Sequence, residues 1–493
     1  MTFRRNSDII NPVFNKRKVV MIMKKELKFG FVPSSWESWD GNRHTGPLAE
    51  KMRGRCIAAM EAAGTAKIVV PGKELTEGGL VSSVEDGKKA AELFLRENID
   101  ALVVGNMNFG LEVAVGEVLS YMRKDLPILH FCTRSGPISE AGNRSTDNWC
   151  GQFMTVSAIK RRGFAYTHIL TCDPEEARFT EGYANFVRAM YALKSFKQAK
   201  IAQLGTRPLL FESQYFSEEN FQRQFGQMLR PMDLATVFDK MDNIKDSDPE
   251  VTETVRQLER MECLMKKEKL PVIARYEVTL KRIYEELGAD CMAVSCWTML
   301  QEKYGVAGCS TFARLNDQGY ITACEVDILG ASGMLAAYAA GLEKTPPIFI
   351  DWTDLHPSEE NCWLAWHCGN AAPSQCAKNC APALRSNERL ELWSDKCDGT
   401  VEFNIAPGKV TCLRLVEYGG EYTMFIGTGE IVDIPPFIRG SYGWVKVKDI
   451  EDWETKMIDA GVIHHGVLIR DGKAADALEL FCKYAGIRAV RAD

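Results

Sequence analysis

The sequence predicts an α/β protein: two doubly wound, Rossmann-like lobes followed by a β-rich, barrel-like C-terminal domain. Three observations lead there. Up to about residue 355, short β-branched runs alternate with helix-length segments, the pattern of βαβ units around parallel sheets. Past about residue 385 the texture changes to short strands separated by Gly, Pro and Asn turns. The chain's 493 residues also exceed what one hydrophobic core organises.

In the first lobe, strands are expected at 27–32, 67–70, 101–105 and 126–132, with helices at 48–63, 88–97 and 111–122 between them. Gly64 stops the first helix and Pro71-Gly72 ends the second strand. The second lobe repeats the alternation. Helices are expected at 175–193, 250–268, 278–287 and 332–342, and strands at 200–204, 291–296, 322–329 and 348–352. The last domain carries strands at 400–405, 410–418, 421–427 and 430–434, and a closing helix at 473–484. Residues 1–22 read as a disordered extension, because Met23 runs straight into a strand. The expected domains are therefore 23–172 (N-terminal α/β), 173–355 (middle α/β, carrying the metal carboxylates) and 356–493 (β-rich).

Composition narrows the function. Hydrophobic residues are 46% and charged residues 26% of the chain, ordinary for a soluble globular protein. A net charge of −6 argues against nucleic acid as a partner, and no apolar run approaches a membrane span. The first 22 residues lack the apolar core of a secretion signal. The 16 cysteines are spread through apolar segments, which suits reduced thiols in the cytoplasm. A local crowd at Cys362, Cys368, Cys376, Cys380 and Cys397 contains no C-x-x-C pair and signals a metal only weakly.

Two acids carry the chemistry. Glu325 lies in Ile321-Thr-Ala-Cys-Glu-Val-Asp-Ile-Leu-Gly330, and Asp351 in Pro346-Pro-Ile-Phe-Ile-Asp-Trp-Thr-Asp354. A charge at the edge of a core strand needs a partner, and a divalent cation is the simplest. In open α/β sheets the carboxyl edge is where ligands bind. The adjacent His464-His465 could complete the set; if 462–469 is a strand, only one of the two faces a given site. Read singly, each acid could equally be a helix-start residue or half of a salt bridge. Two carboxylates and one imidazole suit Mn²⁺ or Mg²⁺, with Co²⁺ feasible, and leave positions open for vicinal sugar oxygens.

Several segments resemble the L-fucose isomerase family, within the wider L-fucose/L-arabinose isomerase superfamily. They are Ser295-Cys-Trp-Thr, Ala323-Cys-Glu-Val-Asp-Ile-Leu-Gly-Ala331, Ile348-Phe-Ile-Asp-Trp-Thr-Asp354, Trp366-His-Cys-Gly-Asn370 and His464-His465. The resemblance implies an aldose–ketose isomerase with a divalent metal, usually manganese, between the middle and last domains. It implies Glu325 and Asp351 as ligands and acid/base groups and His465 as the imidazole ligand, with His464 as the fallback. His367 matches a further ligand of the arabinose branch and is read as an additional ligand or a substrate contact. Asn370 lies in the same matching segment and is carried as a substrate contact. The resemblance also implies a homo-oligomer, a hexamer by analogy, with sites completed by neighbouring subunits.

Chemistry follows from that frame: a proton moves between C1 and C2 through a cis-enediol, with a metal-assisted hydride shift as the rival route. Trp352, Trp363 and Trp366 are sugar-platform candidates. Trp36, Trp39 and His44, after the first strand, are weaker ones, and Arg314 and Lys303 are candidate readers of a polar or anionic substituent, with solvated surface charges as the alternative. The default substrate is an unmodified pentose or hexose; a hexose modified at C6 is the alternative. A non-catalytic sugar-binding protein is the rival class. A nucleotide-dependent oxidoreductase is disfavoured, because no G-x-G-x-x-G follows a strand, and Gly427-Thr-Gly429 is a turn and not a phosphate loop.

Overall fold

In the computed structural model, described over residues 25–36, 46–387, 397–435 and 437–493, the chain builds three sheets. The expected extension at 1–22, and Trp39 and His44, lie outside the described residues.

The first sheet has strands β1 (Lys28–Ser34), β2 (Lys67–Val69), β3 (Ala101–Asn106), β4 (Ile128–Cys132) and β5 (Tyr166–Ile169), all parallel, in the order β2-β1-β3-β4-β5. Its central strands β1, β3 and β4 are buried on both faces, and the period of two shows in the packing. Ala101 and Val103 point into one core cluster, Leu102 and Val104 into another. The helix Val84–Glu97 starts at Ser83, whose hydroxyl accepts the Asp86 N–H, and stops at Asn98 in the left-handed region.

The second sheet contains β6 (Lys200–Leu204) and β7 (Met228–Met232). The two-residue β8 (Glu262–Cys263) leaves it to pair with a later strand, and β9 (Cys291–Val294) and β10 (Thr322–Cys324) complete it. The order β10-β9-β6-β7, all parallel, reverses direction between β6 and β9. That is a topological switch point, where ligands collect at the carboxyl ends of strands. The helix Ile328–Ala340 follows β10 and is buried along its whole length, between this sheet and the third.

The third sheet contains β11 (Ile348–Leu355), β12 (Cys362–His367), β13 (Ala383–Ser386), β14 (Asp398–Asn404), β15 (Gly408–Tyr418), β16 (Glu421–Val432), β17 (Ser441–Lys446), β18 (His465–Ile469) and β19 (Arg488–Ala492). Pairing of β16 with β17 closes a ring through β15, β18, β11 and β12, so the C-terminal part is a barrel. Closure removes the exposed edges that such a sheet would otherwise present.

Several expectations change, among them the helix expected at 250–268, which ends at Leu258. The run 348–352 was expected in the parallel sheet of the middle lobe; as β11 it is antiparallel to β12 and β18 in the barrel. The strand expected over 322–329 ends at Cys324, because Asp327 caps a helix three residues later. The strands expected at 421–427 and 430–434 are one strand, β16, running through Gly427-Thr-Gly429 in extended form against β15. Among the described residues no helix is long and apolar enough to cross a membrane.

Candidate active site

Glu325 sits where β10 breaks off. Glu325 and Val326 both adopt positive φ, +58° and +57°, and the chain then enters the helix at Asp327. Left-handed backbone at a β-branched residue is an outlier, and each such residue costs about 1–3 kcal/mol. The turn is held by Val326 N–H donating to Val294 O (3.3 Å) and Asp327 N–H donating to Cys324 O (3.1 Å). The strain aims the Glu325 carboxylate at His465, with Oε2 2.9 Å from Nε2.

His465 opens β18, directly opposite Asp351 on β11, and its Nε2 lies 3.8 Å from Asp351 Oδ1. Its other nitrogen, Nδ1, lies 2.9 Å from Asp327 Oδ2. Asp327 also accepts the Gly330 N–H and two N–H groups of the buried Arg414. A carboxylate on Nδ1 fixes a proton there, so that when the ring is neutral its Nε2 lone pair faces Glu325 and Asp351. That is the outer arrangement that metal-binding histidines use. Gly330 is part of the fit: a Cβ there would lie 2.7 Å from the Phe349 ring and 2.8 Å from the Asp327 carboxylate.

The charges respond to one another. Burial alone would push the Glu325 carboxyl up, but the hydrogen bond and charge of His465 hold it below the usual range. Burial likewise opposes an Asp327 anion, yet Arg414 and His465 keep it far below the usual range. For His465 burial disfavours the cation, while Asp327 and Glu325 raise it to about 9. His464 is lowered by burial and by His465.

His367 ends β12. Its nitrogen, with those of Asp351 and His465, falls in a group whose ligand atoms lie within 4.8 Å of one another; Glu325, His464 and His465 form a second such group. The Phe349 ring packs against both imidazoles, 5.5 Å from His367 and 4.7 Å from His465. The Cys368 N–H donates to His367 Nδ1 (2.9 Å), and His367 Nε2 is buried with no partner among the described residues. Asn370, three residues on, is buried with both amide atoms unpartnered. Buried polar atoms of this kind need a partner, which a ligand or an ordered water can supply. The donor set, two carboxylates and an imidazole with orphaned groups beside it, fits a hard divalent cation and an oxygen-rich substrate.

Other expected contacts go elsewhere. Trp352 neighbours Asp351 on a strand and therefore points to the opposite face, onto Trp363 and Phe425, with its Nε1–H donating to His465 O. The guanidinium of Arg314 is engaged by the buried Glu277 (2.7 and 3.2 Å) and by Gln257 (2.7 Å), away from the Glu325–Asp351–His465 cluster in its hydrogen bonding. Lys303 is paired with Asp242. Trp36 packs on Phe109 in the first lobe. Trp366 stays near the cluster, its ring centroid 6.2 Å from that of His367 and its Nε1–H bound to Arg439 O.

Asp327's role, Arg414 and the segment after β6 were not foreseen from the residues. That segment sets Phe211 against His464 (4.8 Å between centroids) and His465 (6.0 Å), and Gln214 Nε2 3.4 Å from His465 Nδ1. The available signal was positional: residues 205–217 leave the carboxyl end of β6, at the switch point.

Comparison with known proteins agrees with this architecture. A family model for the fucose/sulfoquinovose isomerase N-terminal domain matches residues 42–197, and one for the L-fucose isomerase C-terminal domain matches residues 365–492; together they cover more than half of the chain. A sulfoquinovose isomerase of Alkalicoccus urumqiensis is 24% identical over 384 residues, 75% of this chain and 81% of the relative. One of Priestia aryabhattai is 22% identical over 411 residues, 81% and 87% respectively. One of Clostridium sp. (strain MSTE9) is 24% identical over 351 residues, 69% and 74%. The chain belongs to the L-fucose isomerase family and is an aldose–ketose isomerase, an intramolecular oxidoreductase.

Proposed function

We propose that this isomerase is divalent-metal-dependent, with manganese as the preferred ion. Its proposed substrate is sulfoquinovose, a hexose bearing a sulfonate at C6, which it converts to the 2-ketose through a cis-enediol. The observation that carries the site is the convergence of Glu325, Asp351 and His465 from β10, β11 and β18, with His465 oriented by Asp327. Glu325, Asp351 and the Nε2 of His465 would hold the ion. A divalent cation bound there supplies Lewis-acid polarisation of the substrate carbonyl.

The residues supply the rest. Glu325 and Asp351 are the two groups placed to take a proton from one carbon and return one to its neighbour, each worth about 10²–10⁴-fold. His367 acts as a donor to a substrate oxygen: with its Nδ1 lone pair occupied by the Cys368 N–H, the neutral ring carries its proton on the unpartnered Nε2. Asn370 offers both an N–H and a carbonyl to sugar hydroxyls.

The sugar for which the relatives are named redirects the default from an unmodified sugar to an anionic one. Arg207 suits that anion. It follows β6 on the segment that carries Phe211 to the two imidazoles, and its guanidinium lies 4.1 Å from the Tyr215 ring centroid. Among the described residues it donates only to Pro208 O (3.4 Å) and forms no ion pair. A homo-oligomer remains part of this proposal; exposed Trp149, Phe153 and Leu170 line one hollow on the first lobe, an apolar patch suited to contact between copies. A monomer in analytical ultracentrifugation at working concentration would remove that part.

The test is a substrate panel. Metal-stripped protein is reloaded with Mn²⁺ and given sulfoquinovose, glucose, L-fucose or D-arabinose, with ketose followed by NMR in H₂O and D₂O. Ketose from sulfoquinovose, solvent deuterium at the transferred position and loss of turnover in Glu325→Gln are expected. Undiminished turnover after exhaustive chelation, or equal efficiency on neutral sugars, would overturn the metal or the substrate assignment respectively. Sugar binding without turnover in the unaltered protein would support a binding module.

A further inference from the structure

Beside the carboxylate cluster lies a pair of thiols that the isomerase chemistry does not use. Cys324 is the last residue of β10, and Val294, opposite it on β9, is followed two residues later by Cys296. Both are buried, and their sulfurs approach to 3.1 Å. Glu325 is next in sequence, and one of its oxygens and both sulfurs lie within 4.8 Å of one another.

We propose that Cys296, Cys324 and Glu325 form a second metal site, selective for thiophilic ions such as Zn²⁺ or Cd²⁺, whose occupation shuts the isomerase off. Two sulfurs and one oxygen are a soft donor set that discriminates against Mn²⁺ and Mg²⁺. The geometry is close to what such an ion needs. With metal–sulfur bonds of about 2.3 Å and tetrahedral angles, two thiolates sit roughly 3.7 Å apart. The present pair has to open by only about half an ångström from its observed 3.1 Å. On binding, two S–H bonds break, two S–metal bonds form and two protons pass to solvent; nothing is oxidised or reduced.

Inhibition follows from the shared carboxylate. Glu325 Oε2 rests 2.9 Å from His465 Nε2. Drawn onto an ion held by the two sulfurs, it leaves the imidazole and Asp351 without their third partner. The binding claim stands independently of the proposed manganese chemistry; only the loss of turnover rests on that reading.

A second close thiol pair, Cys376 and Cys380 (2.8 Å), lies nearer the surface and has to be removed first. The experiment therefore uses the full chain carrying Cys376→Ser and Cys380→Ser, loaded with Mn²⁺ and titrated with CdCl₂. Sulfur-to-cadmium charge-transfer absorption is read in parallel with residual turnover. One equivalent of cadmium is expected to produce the absorption and abolish turnover, with reversal by a competing dithiol. Adding Cys324→Ser should remove the absorption and raise the cadmium needed for half-inhibition by roughly 100-fold, each protein compared with its own uninhibited rate. Cys296→Ala is the second variant, should the first fail to fold. Variants that keep the absorption would overturn the proposal, as would equal cadmium sensitivity with no absorption, which would mean simple replacement of manganese among Glu325, Asp351 and His465. If turnover proves metal-independent, the function reading fails while the absorption still decides the thiol site.

Discussion

Asp327→Asn is the sharpest probe of the candidate centre, because it changes one oxygen to nitrogen in a residue that would not touch the metal. Asp327 holds His465 Nδ1 at 2.9 Å and accepts two N–H groups of Arg414 and one from Gly330. The Gly330 bond survives, since asparagine caps helices as well as aspartate. At His465 the amide presents N–H where an acceptor stood. The ring then accepts at Nδ1 and carries its proton on Nε2, pointing at Glu325, and a protonated Nε2 cannot ligate. Loss of such an orienting partner costs about 10–100-fold in metal affinity, or roughly 1.4–2.7 kcal/mol. A second effect is separable. Arg414, 1% exposed, loses the one carboxylate it pairs with among the described residues, and an uncompensated buried charge costs about 3–5 kcal/mol of stability. Manganese affinity is measured from the EPR signal of the free ion, and stability by thermal melting. Adding Arg414→Met should restore much of the melting temperature, by removing the stranded cation, without restoring manganese binding. If Asp327→Asn binds Mn²⁺ within about threefold of the unaltered protein, the tautomer argument is wrong.

Other outcomes follow from named contacts. His367→Ala should lower kcat by about 10²–10³-fold, as loss of a preorganised donor does, with manganese affinity unchanged and partial recovery in His367→Gln; weakened manganese binding would make His367 a ligand. Arg207→Met should raise KM for sulfoquinovose by roughly 10–100-fold, the worth of a hydrogen bond to a charged group, and leave any activity on glucose untouched. His130, buried on β4 beside Asn106, is pushed down to about 3 by burial and by His168, so the folded protein keeps it neutral. The unfolded chain protonates it below about pH 6.5, so its contribution is complete above that pH and falls as pH drops toward 3, by about 2 kcal/mol at pH 5. His130→Asn should flatten that part of the melting-temperature profile between pH 7 and 5; an unchanged slope would show that other groups set it.

How much of this was legible depended on the range of the interaction. Glu325 and Asp351 stood out because acids at the ends of apolar runs are costly locally, whatever the fold does with them. Glu325's strain was invisible, since nothing in Cys-Glu-Val-Asp requires two left-handed residues until Asp327 is fixed as the helix cap. Asp327 itself read as one more acid, because the residue that defines its charge, Arg414, is 87 positions away on β15. The fold class followed from period and turn chemistry. The sheet to which 348–352 belongs did not, because a buried run of that length reads alike whether its neighbours are parallel or antiparallel.

The error over Trp352 is of another kind, since strand alternation alone excludes it from the face of Asp351. That exclusion bears on how the centre is built. Asp351 and His465 face each other across β11 and β18, while Trp352 lies against Gly466 behind them, where a Cβ would come within 2.3 Å of its ring. The tryptophan therefore acts on the site from the far side of the sheet: its Nε1–H holds the His465 carbonyl, and its ring occupies the space that glycine leaves. One strand pair thus presents polar groups to the cleft on one face and a packed aromatic layer of Trp352, Trp363 and Trp453 on the other. The side chains that would hold the ion owe their positions to a layer that never meets the sugar. A change there, such as Gly466→Ala, should disturb metal affinity before it disturbs sugar recognition by Arg207, whose loop belongs to a different sheet.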